Sequence, residues 1–330
     1  MTKLSYGCGG KVVVISGGSS GIGLAAALKL AADGARVYIL GRSRARGAAA
    51  VSELREKTGA AALFVPCDVT SSASCKAAVA QIGEHEKSLL REQQAGVSFG
   101  TGDAQGAEQG WQLDILINSA GVYTEQRLEN LTEADYSYIM DTNVKGTLLL
   151  TQACLPLLRS GGCIVNIASD AGVSGNYGCP VYCASKGAVV ALTRALALDL
   201  APSIRVNCIC PADVDTPLLA RQLVDANGGY TLADMAASYP LGRIGRAEEV
   251  AHVICSVASP ANSFMTGSII TVDGGITAGS TNKKPGAGTR GFDLCFELRG
   301  AFHKVYASSS HFFHGLGDGV GSNAAAGSFV

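Results

Sequence analysis

The sequence predicts an α/β fold: a doubly wound parallel β-sheet with helices on both faces, in a single domain. Short, fully apolar strands alternate with helical segments, which indicates a sheet covered on both sides. A glycine cluster follows the first strand, where such sheets bind nucleotides. The chain has 330 residues, 47% of them hydrophobic, and is long enough to form the core that this fold requires.

The predicted elements follow one another in regular order. β-branched and apolar runs predict strands, and apolar residues at helical spacing between glycine-containing breaks predict helices. The predicted strands are 11–15, 36–40, 62–65, 113–117, 163–168, 205–209 and 268–272, and the predicted helices are 22–32, 45–57, 133–158, the helix that contains Tyr182, and 248–256. This order favours crossover connections between parallel strands.

Two segments interrupt the alternation. Residues 83–110, rich in Gly, Gln and Glu, predict a helix extended into a surface insertion. Residues 279–330, rich in Gly, Ser and Ala, predict a C-terminal tail, so the predicted folded domain is 1–278. The tail histidines have no acidic or cysteine ligand at matching spacing except Cys295, and no metal site is predicted.

Charge and composition exclude several classes of partner. Lys and Arg total 26 against 27 acidic residues, without the basic surplus typical of nucleic-acid binding. No run reaches the roughly 18 apolar residues of a membrane span, and the amino terminus lacks a signal-peptide pattern. The 11 cysteines include no C-x-x-C pair, which favours reduced thiols. We therefore expect a cytoplasmic protein with neither a nucleic-acid nor a membrane partner.

A glycine-rich turn lies between the first predicted strand and the first predicted helix. Gly17, Gly21 and Gly23 have the spacing G-x-x-x-G-x-G. Glycines let the backbone approach a pyrophosphate closely, and the amino end of a helix presents free N–H groups to the anion. The turn therefore predicts a nucleotide site, although an ordinary strand-to-helix turn can have the same composition.

The end of the second predicted strand indicates which nucleotide binds. NAD sites commonly place an acidic residue there, which accepts hydrogen bonds from the ribose hydroxyls. Gly41 occupies that position and Arg42 follows it, with Arg44 and Arg46 nearby. A guanidinium pairs well with a phosphate dianion. The sequence therefore predicts NADP(H) in preference to NAD(H).

A tyrosine and a lysine four residues apart begin a long apolar helix. Tyr182 and Lys186 share one helix face, and a nearby cation lowers the pKa of a phenol, ordinarily about 10. Such a phenol can exchange a proton with a carbonyl or alcohol oxygen. Ser169 ends a predicted strand, where ligands bind in open sheets, and Asn143, a poor helix former, lies within a predicted helix. The Ser169 hydroxyl can hold a substrate oxygen beside the phenol, and the position of Asn143 indicates a polar role, with a buried structural amide as the alternative.

Together these motifs resemble the short-chain dehydrogenase/reductase family, over about residues 11–275. The glycine loop resembles T-G-x-x-x-G-I-G with Ser16 in place of threonine, and "NSAG" resembles N-N-A-G with Ser119 in place of asparagine. "PADVDTP" resembles P-G-x-x-x-T with Ala212 in place of glycine, and "TVDGG" resembles the closing strand. The resemblance implies a Rossmann-type fold and an NAD(P)-dependent oxidoreductase acting on CH–OH or C=O groups.

The resemblance also implies a role for each site residue. Ser169 positions the carbonyl oxygen, Tyr182 transfers the proton, Lys186 lowers the pKa of Tyr182 and binds the nicotinamide ribose, and Asn143 holds a water of a proton relay. The cofactor-binding residues that it implies, beside Tyr182 and Lys186, are Gly17, Ser19, Ser20, Gly21, Ile22, Gly23, Arg42, Asp68, Val69, Asn118, Ala120, Gly121, Pro211, Val214 and Thr216.

Residues 215–239 are the predicted substrate lid. Its apolar residues, with two from a neighbouring loop, predict a pocket for a medium-sized, partly apolar carbonyl or alcohol: Leu218, Leu219, Leu223, Met235, Tyr239, Val173 and Tyr177. With NADPH, carbonyl reduction is the expected direction. A 3-oxoacyl-carrier-protein reductase, whose acidic partner would need basic residues such as Arg159, Arg221 and Arg243, remains open.

Two further classes of function also remain open. One is a hydroxysteroid or polyol dehydrogenase, and the other is a nucleotide-binding regulator without turnover. The family resemblance also implies a homotetramer (or a homodimer), assembled partly through the helices that contain Asn143 and Tyr182.

Overall fold

The central element is a seven-stranded sheet, in which every neighbouring pair of strands is parallel. The computed structural model describes residues 5–95, 111–225 and 231–279, all within one compact unit, Met1–Thr281. The sheet strands are β1 (Val12–Ser16), β2 (Arg36–Gly41), β3 (Ala62–Pro66), β4 (Leu113–Asn118), β5 (Leu158–Ile167), β6 (Ile204–Pro211) and β9 (Ile269–Val272), and β7 (Val214–Asp215) pairs with β8 (Gly245–Arg246) in a small second sheet.

Helices connect these strands and cover both faces of the sheet. They are α1 (Gly21–Ala32), α2 (Arg44–Thr58), α3 (Ser72–Ala95), α4 (Glu133–Met140), α5 (Gly146–Cys154), α6 (Pro180–Leu200), α7 (Pro217–Asp225), α8 (Leu232–Ala237) and α9 (Ala247–Ala258). The predicted strands and helices are thus confirmed, with ends shifted by a few residues, except for the helix predicted over 133–158, which is interrupted.

The strand order is β3-β2-β1-β4-β5-β6-β9, so the direction of winding reverses between β1 and β4. The carboxyl ends of parallel strands lie at one edge of the sheet, and ligands bind beside such a reversal. The segments after β1, β4, β5 and β6 carry most of the predicted site residues. The topology therefore brings together motifs that are far apart in the chain.

Alternating strand residues form two core layers, one on each face of the sheet. Val13 and Ile15 of β1 pack in the layer beneath α1, α2 and α9. Val12 and Val14 pack in the opposite layer, beneath α3, α5 and α6. Because successive side chains of a strand point to opposite faces, a fully apolar strand is needed to fill both layers.

The predicted helix 133–158 is interrupted where it passes the site. A π-helical segment, Asp141–Lys145, separates α4 from α5. The Asn143 carbonyl accepts a hydrogen bond from the Thr147 hydroxyl at 2.8 Å. An extra residue in one helical turn of this kind is frequent at functional sites, because it redirects a side chain.

The first part of the predicted insertion continues α3 as far as Ala95. Ile82 and Glu86 are buried, and a Cβ on Gly83 would lie 2.5 Å from the Trp111 indole nitrogen. Residues 96–110, and the predicted tail from 280 onward, lie outside the described residues. The boundaries of the insertion and of the tail stay predictions.

Within the described part of the chain, α6 has the length and apolar composition of a membrane-crossing helix. Core helices of globular proteins commonly meet the same criterion. Val189, Val190 and Ala197 of α6 are buried against the sheet.

Candidate active site

A cleft of about 1360 Å³ follows the carboxyl edge of the sheet. Sixteen of the predicted site residues line it, and these are Gly17, Ser20, Gly21, Ile22, Gly23, Arg42, Asp68, Val69, Ala120, Gly121, Ser169, Tyr182, Lys186, Pro211, Val214 and Thr216. Ligand pockets commonly measure about 300–1,000 Å³. This cleft is therefore large enough for a dinucleotide together with a substrate.

The glycine loop packs closely against neighbouring backbone, as its composition predicts. Gly17 has a φ of 68°, and a Cβ there would lie 2.8 Å from the Ser119 carbonyl oxygen. A Cβ on Gly23 would lie 2.5 Å from the Gly17 carbonyl oxygen. The Ser20 side chain makes no capping hydrogen bond to α1. The amino end of α1 therefore presents N–H groups to the cleft, as anion binding requires.

Gly23→Ala is expected to destabilise the fold by about 1–3 kcal/mol and to weaken cofactor binding, because the new methyl overlaps the Gly17 carbonyl. Urea unfolding and a cofactor-fluorescence titration measure the two effects. Gly175→Ala is the matched control, since a Cβ there meets nothing within 4 Å. Equal stability of the two variants would contradict this account of the loop.

Two arginines that follow β2 lie at one end of the cleft. Arg42 and Arg46 are exposed, line the cleft, and form no ion pair with any described residue. Arg44, between them, does not line it. Asp68 lies at the same end, where one carboxylate oxygen accepts hydrogen bonds from the Thr70 N–H and hydroxyl.

Tyr182 and Lys186 project from the first turns of α6 towards the ends of β4 and β5. The Lys186 ammonium nitrogen lies 5.7 Å from the Tyr182 ring centroid and donates to the Ile167 carbonyl at 3.0 Å. A Cβ on Gly121 would lie 3.5 Å from that nitrogen. The Tyr123 ring packs edge-on against Tyr182, with 4.8 Å between the centroids. The Tyr182 phenol is therefore fixed between the β4 loop and α6.

Burial controls the protonation of both residues. It raises the pKa of Tyr182, the Ser169 hydrogen bond lowers it, and the charges of Asp170, Cys179 and Asp213 raise it further. Burial also lowers the pKa of Lys186 to about 8. The pKa shift of Tyr182 is therefore opposite to the predicted one, because desolvation outweighs an ammonium group that bonds to a carbonyl rather than to the phenol.

The Asn143 side chain hydrogen-bonds to two segments of the site, the loop after β4 and α6. Its Oδ1 accepts from the Val122 N–H at 2.8 Å, and its Nδ2 donates to the Val122 carbonyl and the Ser185 hydroxyl, both at 3.0 Å. It is buried and does not line the cleft. This geometry supports a positioning role towards the β4 loop and α6, and its water-holding role stays a prediction.

Two other predicted cofactor contacts, Ser19 and Asn118, do not line the cleft either. The Asn118 amide donates to the Thr151 hydroxyl at 3.0 Å and to Asn166 Oδ1 at 2.9 Å. Asn118 thus links β4 to α5 and β5. Sequence position alone could not separate this bracing amide from a cofactor contact, because both lie at the end of the same strand.

Several cleft residues were not predicted from the sequence. Asp170 and Asp213 follow β5 and β6, and Tyr123 and Glu125 follow β4. Burial raises the pKa of Asp213, whose carboxylate accepts from the Tyr239 hydroxyl at 2.7 Å. The sequence carried one signal for these residues, because each lies just after the end of a strand, where ligands bind in open α/β sheets.

The predicted lid contributes part of the apolar wall. Leu218, Leu219, Leu223 and Met235 of the lid line the cleft, and so does Tyr177 of a neighbouring loop. Val173 and Tyr239 do not line it, contrary to prediction. Val173 points to solvent, and Tyr239 is buried with its hydroxyl bound to Asp213. Residues 226–230 of the lid lie outside the described residues.

Known proteins share this sequence pattern and fold. Two family models match the chain, one described as short chain dehydrogenase over residues 11–90 and one as Enoyl-(Acyl carrier protein) reductase over residues 104–277. An uncharacterized oxidoreductase of Thermotoga maritima is 37% identical over 273 residues, covering 82% of this chain and 98% of the relative. Cyclopentanol dehydrogenase of Comamonas sp. is 34% identical, covering 81% of this chain and 97% of the relative.

A solved structure extends the similarity to three dimensions. The crystal structure of a variant of actinorhodin polyketide ketoreductase with NADPH has a TM-score of 0.70 and 29% identity, covering 81% of this chain and 97% of that one. The protein therefore belongs to the short-chain dehydrogenase/reductase family. It is an NAD(P)-dependent oxidoreductase that acts on CH–OH or C=O groups.

Proposed function

We propose that the protein catalyses NADPH-dependent reduction of a ketone or aldehyde, or the reverse oxidation, with Tyr182 as the proton donor. The observation that carries this proposal is the convergence of Ser169, Tyr182 and Lys186 on one cleft with the glycine loop. Burial favours the neutral phenol of Tyr182, which is the form that can donate a proton to a carbonyl oxygen.

The residues present fit a dinucleotide. The close packing at Gly17 and Gly23 leaves no room for side chains, and the open amino end of α1 suits a pyrophosphate. The glycine loop and α1 would hold the phosphates, Asp68 the adenine, and Lys186 the nicotinamide ribose. When bound, the nicotinamide supplies or accepts the hydride.

The chain's own residues bind the substrate and move the proton. Ser169 and Tyr182 bind the substrate oxygen, and the phenol gives its proton to that oxygen during reduction. Lys186, with a pKa of about 8, lies behind the phenol and can change its charge near neutral pH. Leu218 and Met235 provide an apolar wall that shields the site from water.

The substrate class is tested with NADPH and NADH over a panel of cyclic ketones, diketones, quinones, 3-oxoacyl thioesters and ketosteroids. Turnover of one class with NADPH supports the proposal and names the class. Absence of turnover despite tight cofactor binding would favour the regulator without turnover.

NADPH preference depends on Arg42 in this proposal. Arg42→Ala is expected to reduce the ratio of kcat/KM with NADPH to that with NADH by about tenfold or more, because a charge-assisted hydrogen bond to the 2′-phosphate is lost. Arg44→Ala is the matched control, since Arg44 lies in the same turn but not in the cleft. A preference for NADH in the unaltered protein would refute the assignment of NADP(H).

The carrier-protein alternative has less support from the site. Arg221 lines the cleft, whereas Arg243 pairs with Glu249 at 2.8 Å. Arg159 lies at the amino end of β5, on the opposite edge of the sheet, and pairs with Asp114 at 3.0 Å. The three candidate arginines therefore form no common surface for an acidic partner.

The proposed assembly is a homotetramer in the cytoplasm. Tyr136, Tyr138 and Leu148 of α4 and α5, and Leu198 of α6, are exposed, which supports association through these helices. The described cysteines are all free, which supports a reducing compartment. Analytical ultracentrifugation tests the assembly, and a monomer at micromolar concentration would contradict it.

A further inference from the structure

Two cysteines lie side by side at the amino end of α6, one before and one after Tyr182 in the sequence. Their sulfur atoms, Cys179 Sγ and Cys183 Sγ, are 3.8 Å apart, and both thiols are free. The Cys183 N–H donates to the Cys179 carbonyl at 3.0 Å, so the pair spans the first turn of the helix. Cys179 is buried, with a relative exposure of 3%, whereas Cys183 is partly exposed.

The backbone of this turn is compatible with a disulfide bond. Four residues of α-helix rise about 6 Å, and the Cα atoms of bridged cysteines are usually about 4.4–6.8 Å apart. The distance between the two sulfur atoms has to shorten from 3.8 Å to the bond length of about 2.05 Å. Cys179 precedes the helix and has a non-helical backbone, with a φ of −140° and a ψ of 53°, so its side chain does not have to follow the helical direction.

The surroundings give the two thiols different roles. The Asn176 N–H donates to Cys183 Sγ at 3.3 Å, and this donor is available to a negatively charged sulfur, the form that attacks an oxidant. Burial and the neighbouring Cys183 raise the pKa of Cys179 to about 12, so Cys179 keeps its proton, which it donates to the Asn176 carbonyl at 3.6 Å. Cys183 is therefore the sulfur that reacts first, and Cys179 is the second thiol.

We propose that Cys183 and Cys179 form a redox modification site that reacts with a peroxide and lowers turnover when it closes to a disulfide. The Cys183 sulfur attacks one peroxide oxygen, the O–O bond breaks, and water leaves a sulfenic acid on Cys183. The Cys179 sulfur then attacks Cys183, the S–O bond breaks, and the S–S bond forms as a second water leaves. The two thiols thus lose two protons and two electrons to the peroxide, and a dithiol reductant reverses the change.

The disulfide removes hydrogen bonds that hold the loop before α6. The thiols of Cys179 and Cys183 both donate to the Asn176 carbonyl, at 3.6 and 3.8 Å, and a disulfide has no proton to donate. Asn176 lines the cleft. Cys179 also interacts with the hydroxyl of Tyr123, whose ring packs against Tyr182. Closure of the disulfide is therefore expected to displace this wall of the cleft and the phenol, and to leave the glycine loop in place.

The test treats the whole protein with hydrogen peroxide and maps its thiols by mass spectrometry. The segment that holds both cysteines is expected to lose the mass of two hydrogen atoms. In the same sample kcat/KM is expected to fall about tenfold or more, because small displacements of reacting groups slow catalysis strongly. Dithiothreitol is expected to restore both, and the dissociation constant for NADPH is expected to change little, because the phosphates bind at the glycine loop.

Cys208 and Cys210 are the internal control. Their sulfur atoms are 3.9 Å apart, nearly the same distance, but both residues have a relative exposure of 0%. They are expected to stay reduced in the folded protein, because oxidation of a thiol requires access to it. Equal oxidation of this second pair would show that proximity alone selects the thiols, and it would overturn the proposal.

Two variants separate the two steps. Cys183→Ser is expected to be active and to stay active after peroxide treatment, with Cys179 still reduced. Cys179→Ser is expected to stop at the Cys183 sulfenic acid, which dimedone traps. A disulfide between Cys183 and any other cysteine would overturn the pairing. Equal inactivation of Cys183→Ser and the unaltered protein would do the same.

This inference goes beyond the proposed function, and only its effect on turnover rests on that function. If the reduced protein turns over no member of the carbonyl panel, the proposed function fails, and the mass measurement still decides whether the disulfide forms. If the disulfide forms and turnover is unchanged, the control of turnover is overturned.

Discussion

Tyr182→Phe is expected to lower kcat/KM for the best substrate by about 10²–10⁴-fold, the usual range for loss of a general acid. Phenylalanine keeps the ring that packs 4.8 Å from Tyr123 but has no proton to donate. The dissociation constant for NADPH is expected to change little, because the phosphates bind at the glycine loop. Steady-state kinetics and a fluorescence titration of NADPH measure the two quantities.

Tyr136→Phe is the control, because Tyr136 is exposed on α4 and does not line the cleft. Full activity of Tyr182→Phe would refute the proton-donor role. The pH profile gives an independent check. Since the pKa of Tyr182 is raised above about 10, reduction does not lose its phenol proton below that pH, whereas oxidation, which needs the phenolate, increases as pH rises.

Lys186→Met is expected to have opposite effects on activity and stability. Turnover falls at least about 100-fold, because the cation behind the phenol is lost. The cofactor-free protein becomes more stable at pH 7 by about 2 kcal/mol. Burial lowers the pKa of the ammonium group to about 8, from 10.5 for the free side chain. At 1.36 kcal/mol per pKa unit, keeping the charged lysine in the folded protein therefore costs about 3 kcal/mol. The lost hydrogen bond to the Ile167 carbonyl offsets about 1 kcal/mol of that gain.

The sign of the pH dependence follows from the same two values. Between pH 8 and 10.5 the unfolded chain keeps this proton and the folded chain has released it, so stability rises with pH in that interval. Below pH 8 both states are protonated and the cost is constant. Urea unfolding at pH 7 and pH 10 should therefore show the advantage of Lys186→Met shrinking at the higher pH.

Lys76→Met controls for the exchange of side-chain type, because Lys76 is exposed on α3. It is expected to change stability by less than about 0.5 kcal/mol at both pH values. A Lys186→Met variant that is less stable than the unaltered protein at pH 7 would contradict this prediction. It would show that interactions in the folded protein offset the cost of burying the ammonium group.

The sheet and most of the site could be predicted from the sequence, because their signals are local. Fully apolar strands define a covered parallel sheet, and residues 12–15 of β1 fill both core layers as such a strand must. The spacing of the glycines at the start of α1 needs no long-range information either. Tyr182 and Lys186 share a helix face whatever surrounds them.

The break in the helix around Asn143 could not be predicted in the same way. At this break the Asn143 side chain hydrogen-bonds to Val122 and Ser185, which are 21 and 42 residues away in the chain. For Asn118, the motif match predicted a contact with the cofactor. In the structure its amide donates instead to Thr151 and Asn166. Partners distant in sequence decide what each amide does.

The sequence by itself determined the covered parallel sheet, the glycine loop, and the identity of the residues that meet in the cleft. Only the tertiary structure decided how those residues hold their protons. Burial raises the pKa of Tyr182 although a lysine lies nearby, and the Ser169 hydroxyl donates a hydrogen bond to the Asp170 carboxylate. Residue identity fixes which groups can ionise or donate, whereas desolvation and hydrogen-bond geometry depend on segments that come together only when the chain folds.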